Sequence, residues 1–93
     1  IVLLKGYNTI ITNGIEVYVN PTGNSKMASG GMGDTLTGII TSFIAQGYDV
    51  FKATILGAYI HGYVGDKLSN KMFCVNASHI IEELPYSIEE ILR

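Results

Sequence analysis

Apolar residues open the chain as an unbroken run, Ile1-Val2-Leu3-Leu4, and return later at two different spacings. A continuous run predicts a strand buried on both faces, as in a parallel sheet covered by helices. Lys5-Gly6-Tyr7-Asn8 then reads as a turn. Thr9 to Thr12 and Ile15 to Val19 are β-rich runs flanking Asn13-Gly14, which predicts a hairpin through a type I′ turn with positive φ at both central residues. Residues 20–34 hold four Gly and one Pro with almost no large apolar side chains, so they are expected to form a loop outside the core. From Leu36 the apolar positions are 36, 39, 40, 43 and 44, the stripe of an amphipathic helix, with Gly47 placed to cap its C-terminus. Asp49 is expected to cap a second helix running to about Leu68, apolar on most faces and therefore buried, with Gly57, Ala58, Gly62 and Gly65 allowing close packing. Asn76 is expected to cap a third helix through Leu84. Pro85 is expected to stop it, and Ser87-Ile88-Glu89-Glu90 to open a last short helix through a capping box.

Composition narrows the class. Ninety-three residues make one small domain, and 47% hydrophobic against 15% charged residues excludes disorder. Six Lys+Arg against eight Asp+Glu give a formal charge of −2, the opposite of the dense basic surface that holds nucleic acid by counterion release. Polar residues or Gly break every apolar run well short of the roughly 20 residues a membrane span needs. Cys74 is the single cysteine, and no basic-then-apolar leader opens the sequence. A soluble, cytoplasmic protein is expected. The chain opens with Ile1 rather than Met, and its first strand needs neighbours beyond one hairpin. The rest of the sheet is therefore expected upstream or in another chain.

Charge also localises the chemistry. Between Ile1 and Tyr48 only Lys5, Glu16, Lys26 and Asp34 are charged. Asp34 ends Gly30-Gly31-Met32-Gly33-Asp34, at or just before the first turn of the first helix. Three glycines in four positions let the backbone turn tightly and bring its N–H groups to a ligand. The helix that follows adds unpaired donors and the positive end of its dipole. Such a nest binds anions and can stabilise a phosphoryl group in transfer without a basic side chain. Asp34 is placed to act as the base that takes the proton of an attacking hydroxyl. The plainer readings are a tight turn for the glycines and an N-cap for the aspartate. The spacing is neither the GxxxxGK[ST] phosphate loop nor the GxGxxG of dinucleotide folds.

Taken together, Lys5-Gly6-Tyr7-Asn8-Thr9, Asn20-Pro21-Thr22-Gly23-Asn24, Met27-Ala28 and Gly30-Gly31-Met32-Gly33-Asp34 resemble the C-terminal part of the ADP/ATP-dependent NAD(P)H-hydrate dehydratases of the ribokinase-like superfamily. The resemblance continues through Ala45-Gln46-Gly47, Tyr59-Ile60-His61-Gly62 and Gly65-Asp66. It implies a three-layer α/β/α sandwich, of which residues 1–93 are the C-terminal portion of a single domain: strand, β-hairpin, Gly-rich loop and helices. The family is roughly three times longer and usually a homo-oligomer, a tetramer. Its enzymes repair hydrated NADH or NADPH. A nucleotide, ADP or ATP, phosphorylates the ring hydroxyl with Mg²⁺ present, and phosphate elimination restores the dihydronicotinamide. By position, the resemblance implies that Lys5, Gly6, Tyr7, Asn8, Thr9 and Gly33 hold the nucleotide. It likewise implies that Gly30, Gly31, Met32 and Gly33 form the phosphate hole, and that Asp34 is the base and contacts the hydrated nicotinamide. Asn20, Thr22 and Asn24 are candidate loop contacts, and no protein metal ligands are implied. The sequence departs from the family at Met32, where Thr is usual, which removes a hydroxyl and leaves the N–H. Two other readings remain: a ribokinase-like kinase for a small molecule such as a vitamin precursor, and a non-catalytic nucleotide-binding fragment.

Other polar residues read as structural. His61, on the apolar second helix, is expected to be a hydrogen-bonded core residue, and no second His or Cys stands at metal-ligand spacing. Cys74 lies far from the motif and is expected to be inert. Asp66 is expected to support structure, and Lys26 is either a phosphate contact from the loop or a solvated charge. Asn76-Ala77-Ser78 matches a glycosylation acceptor but is best read as a helix cap.

Overall fold

The computed structural model describes residues 1–5, 9–27 and 30–92. Strands β1 (Val2–Leu4), β2 (Ile10–Thr12) and β3 (Val17–Val19) form one antiparallel sheet in the order β1-β2-β3. Helices α1 (Met32–Ala45), α2 (Val50–Ser69) and α3 (Ala77–Leu92) follow, with a 3-10 turn at Ser25–Met27 before them.

The pleat sorts the sheet into two faces. Leu3, Ile11 and Tyr18 stand opposite one another across the three strands. This row packs with Leu36 of α1 and Phe51, Ile55 and Ala58 of α2. The other face carries Val2, Leu4, Ile10, Val17 and Val19, all exposed. One expectation for the first strand is thereby corrected. Its pairing with β2 is antiparallel, because residues 5–9 join the two and a parallel crossover needs a dozen or more. Within residues 1–93 α1 and α2 cover one face of the strand, and Val2 and Leu4 on the other face are more than half exposed.

The hairpin exists but its turn differs from the expected type. Gly14 has φ +93°, whereas no residue other than glycine has positive φ among the described residues, which excludes type I′. The Asn13 side chain instead folds back, its Oδ1 accepting the N–H groups of Ile15 at 2.9 Å and Glu16 at 2.8 Å. Asn commonly builds this local turn. Thr12 then pairs with Val17, so Ile15, 91% exposed, lies in the turn and not in the strand.

Helix α1 starts earlier than the stripe from Leu36 implied. Gly31, at φ +85°, turns the chain, and Met32, one turn before Leu36, extends the buried stripe. Met27 and Met32 both enter the main core, correcting the expectation that residues 20–34 stay outside it. At the other end Gly47, at φ +102°, closes α1 as expected. The Gly47 N–H donates to Ile44 O and the Tyr48 N–H to Phe43 O, the paired bonds of a Schellman cap. Phe43 and Tyr48 meet edge to face above it. Asp49 caps α2, accepting the Lys52 N–H.

Helix α2 is the hub, packing against α1, α3, β2 and the turn at Ser25–Met27. Its small residues are notches. A Cβ on Gly57 would press into Ile40 of α1, and one on Gly62 would lie 2.7 Å from the Thr22 carbonyl carbon and 2.8 Å from the Gly23 nitrogen. Gly65 receives the Met27 side chain.

Pro85 does not stop the third helix. Helix α3 is continuous through it, and Ser87 lies buried inside rather than opening a new helix. Proline costs a helix interior about 3 kcal/mol through a lost N–H and a steric clash. Here Pro85 and Ile81, whose carbonyl loses its donor, are both exposed, so the break falls on the solvent-facing side of the helix. The apolar line Ile80, Leu84, Ile88 and Ile91 continues against the core on both sides of the proline. Lys67 of α2 adds ion pairs to Glu83 at 2.9 Å and Glu90 at 2.7 Å, and the Tyr63 hydroxyl donates to Glu90. Packing thus offsets propensity. Pro85→Ala is expected to raise the stability of the intact protein by about 1–3 kcal/mol, read from the denaturant midpoint. A lower midpoint would mean that the proline shapes the helix instead of straining it.

Candidate active site

The first intrahelical bond of α1 runs from the Thr35 N–H to Gly31 O at 3.0 Å. The N–H groups of Gly31, Met32, Gly33 and Asp34 precede it and so lack intrahelical acceptors. Left-handed Gly31 directs the chain into that turn. The Met32 side chain goes the other way, into the core at 8% exposure. Met32 thus offers the turn its backbone and not its side chain. Thr37 Oγ1 donates to Gly33 O at 2.9 Å and tightens the same turn.

Lys5, just past the end of β1, brings its ammonium to this turn. A Cβ built on Gly33 would stand 3.2 Å from Lys5 Nζ. The structure therefore brings together Lys5 and Gly33, two residues far apart in sequence. Without an anion this is an unfavourable arrangement, since a cation opposes the positive end of a helix dipole by about 0.3–1 kcal/mol. A phosphate between them reverses the sign, gaining from both. Gly30 is an exposed turn residue with open space around its Cα, while Gly31 lies against Ala77 at the start of α3.

Asp34 is exposed on the same first turn. It lines a cleft of about 410 Å³ between α1 and α3 together with Thr35, Gly38, Ile39, Ile81 and Leu84. A carboxylate here borders both the free N–H groups and a mostly apolar groove. It makes no side-chain cap to its own helix, because the N-cap position is Gly31 with no side-chain bond.

The remaining candidates divide. Gly6, Tyr7 and Asn8 lie outside the described residues. Thr9 is half-buried, and its carbonyl accepts the Asn20 N–H at 2.8 Å. Asn20, Thr22 and Asn24 are engaged with α2. Asn20 Nδ2 donates to Ala58 O, Thr22 Oγ1 to Tyr59 O and Asn24 Nδ2 to Asp66 Oδ1. Asp66 also accepts the Gly23 N–H at 2.9 Å, the structural role expected of it. Lys26 Nζ donates to Ser69 O at 3.0 Å, which ties it to the C-terminal end of α2 and not to the glycine turn. Asn76 caps α3, its Oδ1 accepting the His79 N–H, while His79 Nδ1 accepts the Asn76 N–H in return. Cys74 is exposed.

His61 departs from expectation. It lies on α2, but its Nε2 is buried and has no hydrogen-bond partner among the described residues. Burial first, and the nearby Lys5 ammonium second, push its pKa below the usual 6.5. Nothing local in the sequence announces this, because the electrostatic influence of Lys5 on His61 exists only in the folded chain.

A family model described as NAD(P)H-hydrate dehydratase matches residues 1–86. The chain belongs to that family. It is 38% identical over 90 residues to the ADP-dependent (S)-NAD(P)H-hydrate dehydratase of Staphylococcus aureus, an alignment covering 97% of this chain and 33% of that protein. Among solved structures it superposes on a hypothetical protein from Streptococcus mutans with a TM-score of 0.91 at 32% identity, covering 98% of this chain and 33% of that one. It also matches a ribokinase-like superfamily protein from Enterococcus faecalis with a TM-score of 0.84 at 39% identity, covering 95% of this chain and 31% of that one. The fold is thus ribokinase-like α/β, and the chain spans about a third of the length of these relatives. No helix among the described residues is long and apolar enough to cross a membrane.

His61 makes stability depend on pH. Its depressed pKa means that the unfolded chain binds the proton more readily, so its contribution is intact above pH 6.5 and is lost as pH falls toward the folded value. The stability difference between the intact protein and its His61→Gln variant is expected to shift against the parent between about pH 8 and about pH 5, measured by denaturant unfolding. A difference that does not change with pH would mean that His61 titrates as it does in water.

Proposed function

We propose that this chain is the C-terminal portion of a single-domain dehydratase that restores NAD(P)H from its hydrate with ADP or ATP. The observation that carries the reading is the meeting of Lys5, Gly33 and Asp34 at the first turn of α1. Family membership and the name of the Staphylococcus aureus relative support it.

In this reading the N–H groups of Gly30 to Gly33 and the Lys5 ammonium hold the transferred phosphoryl, and residues 5–9 with Gly33 hold the nucleotide. The ring hydroxyl of the hydrate attacks phosphorus while its proton passes to the Asp34 carboxylate. The bond from phosphorus to the leaving nucleotide oxygen breaks, giving AMP from ADP or ADP from ATP. The phosphate ester then leaves with its C–O bond electrons as the ring nitrogen donates its lone pair. Loss of a proton from the neighbouring carbon restores the double bond. Developing charge on phosphorus is met by fixed dipoles that need no reorganisation. The mostly apolar cleft beside Asp34 suits a flat ring next to a carboxylate.

Mg²⁺ fits this donor set as an ion held mainly by nucleotide phosphates and water. The described residues form no group of three or more His, Cys, Asp or Glu, and Asp34 is the carboxylate beside the turn. When bound, the ion neutralises phosphate charge. The setting follows the same reading: the remainder of the domain covers the exposed sheet face of Val2, Leu4, Ile10, Val17 and Val19, and the whole acts as a cytoplasmic homo-oligomer.

Asp34→Asn separates base from cap. Asparagine keeps the shape but takes no proton, so turnover in the intact protein is expected to fall by about 10²-fold or more with ADP binding retained. The assay is recovery of dihydronicotinamide absorbance from hydrated NADH with ADP or ATP and Mg²⁺. Undiminished turnover would remove Asp34 from the chemistry. Accumulation of a phosphorylated product by the parent protein, without recovered absorbance, would favour a ribokinase-like kinase.

A further inference from the structure

Five glycines lie inside helices among the described residues, two in α1 and three in α2. Glycine weakens a helix interior, because its backbone loses the most freedom on folding. Four of the five have a close neighbour that accounts for them. Gly33 faces Lys5 Nζ, Gly57 the Ile40 side chain, Gly62 the backbone at Thr22 and Gly23, and Gly65 the Met27 side chain. Gly38 is the exception. A Cβ built on it would meet no described residue within 4 Å, and its φ is not positive, so neither packing within residues 1–93 nor backbone conformation calls for glycine there.

What Gly38 faces is the cleft between α1 and α3. It stands four residues after Asp34, and residues at that spacing share a helix face. The Asp34 carboxylate and the bare backbone at Gly38 therefore line one wall, with Ile39 beside them and Ile81 and Leu84 across on α3. The polar side chains of this lining are acceptors. Thr35 Oγ1 commits its hydrogen to Gly31 O at 2.9 Å and keeps only lone pairs to offer, and no Lys, Arg or His lines the cleft. Such a surface disfavours phosphate and suits an uncharged ring that brings its own donors. The hydrated nicotinamide ring brings two, its hydroxyl and its carboxamide N–H groups. We propose that Gly38 determines specificity for that ring: with no side chain at 38, the ring lies flat against α1 between Ile39, Ile81 and Leu84, with its hydroxyl at Asp34. A side chain at 38 would hold the ring off the helix and draw the hydroxyl away from the carboxylate. The inference rests on the reading of Asp34 as the base that faces the ring hydroxyl.

The test compares Gly38→Ala and Gly38→Leu with the parent in the intact protein, since both residues form helix better than glycine. Without ligands, the denaturant midpoint of Gly38→Ala is expected to rise. In the assay of dihydronicotinamide recovery, KM for hydrated NADH is expected to rise about tenfold in Gly38→Ala and about a hundredfold or more in Gly38→Leu, the scale of excess bulk in an apolar pocket. KM for ADP is expected to stay within about twofold of the parent in both, because the phosphate turn is untouched. A lower midpoint in Gly38→Ala would mean that another part of the protein packs over Gly38, and would overturn the proposal. An unchanged KM for the hydrate in Gly38→Leu would overturn it as well, as would a rise confined to ADP, which would give the cleft to the nucleotide. A parent protein that restores no NADH would instead refute the reading of the function, and the proposal with it.

Discussion

The notch along α2 is the constraint on which the rest of the molecule depends. Gly62 and Gly65 let residues 22–27 lie directly against the helix, with the backbone at Thr22 and Gly23 where any side chain on Gly62 would have to be. Helix glycine costs up to about 1 kcal/mol relative to alanine. What it permits here is a seam of hydrogen bonds: Asn20 to Ala58 O, Thr22 to Tyr59 O, and Gly23 and Asn24 to Asp66. The same helix meets the sheet through Ala58 and α3 through Lys67. One element therefore fixes the sheet, the loop and both other helices relative to each other.

The seam has a consequence for chemistry. It anchors the Gly-rich segment up to the Ser25–Met27 turn, and the Met32 side chain anchors it again on the far side. Gly30 and Gly31 are exposed, and the N–H groups of Gly31 to Asp34 have no acceptor within the helix. Lys5 arrives from the opposite side at the end of β1. Few charged side chains take part, so in the proposed reading the anion is held mainly by backbone N–H groups. Lys26, the other cation of this region, is drawn away to the α2 terminus.

Much of this was legible in the sequence wherever a local rule decided the outcome. Gly47 and Asp49 mark the α1–α2 corner because cap geometry depends on single residues. The glycines of residues 30–33 mark the exposed turn for the same reason. The rules failed where packing overrode them. Pro85 reads as a stop, but an apolar line on both sides of it carried α3 through. Asn13-Gly14 reads as a two-residue turn, but the Asn side chain built a wider one. Met27 and Met32 read as loop, because their partners on α2 and α3 are distant in sequence. His61 reads as an ordinary core residue because nothing local announces Lys5. Contacts and charges distant in sequence are what pattern reading lacks, and His61 and Lys5 are separated by more than half of the chain.

The central claim is that phosphate is held by the backbone of the first turn of α1 with Lys5, not by loop charge. Calorimetric titration of ADP into the intact protein and two variants addresses it. Gly33→Val puts a branched side chain where Lys5 Nζ and the ligand must come, and is expected to abolish measurable binding. Lys26→Ala removes a cation already occupied by Ser69 O, and is expected to leave affinity within about twofold. Retained affinity in Gly33→Val together with a large loss in Lys26→Ala would contradict the claim and move the phosphate to the loop.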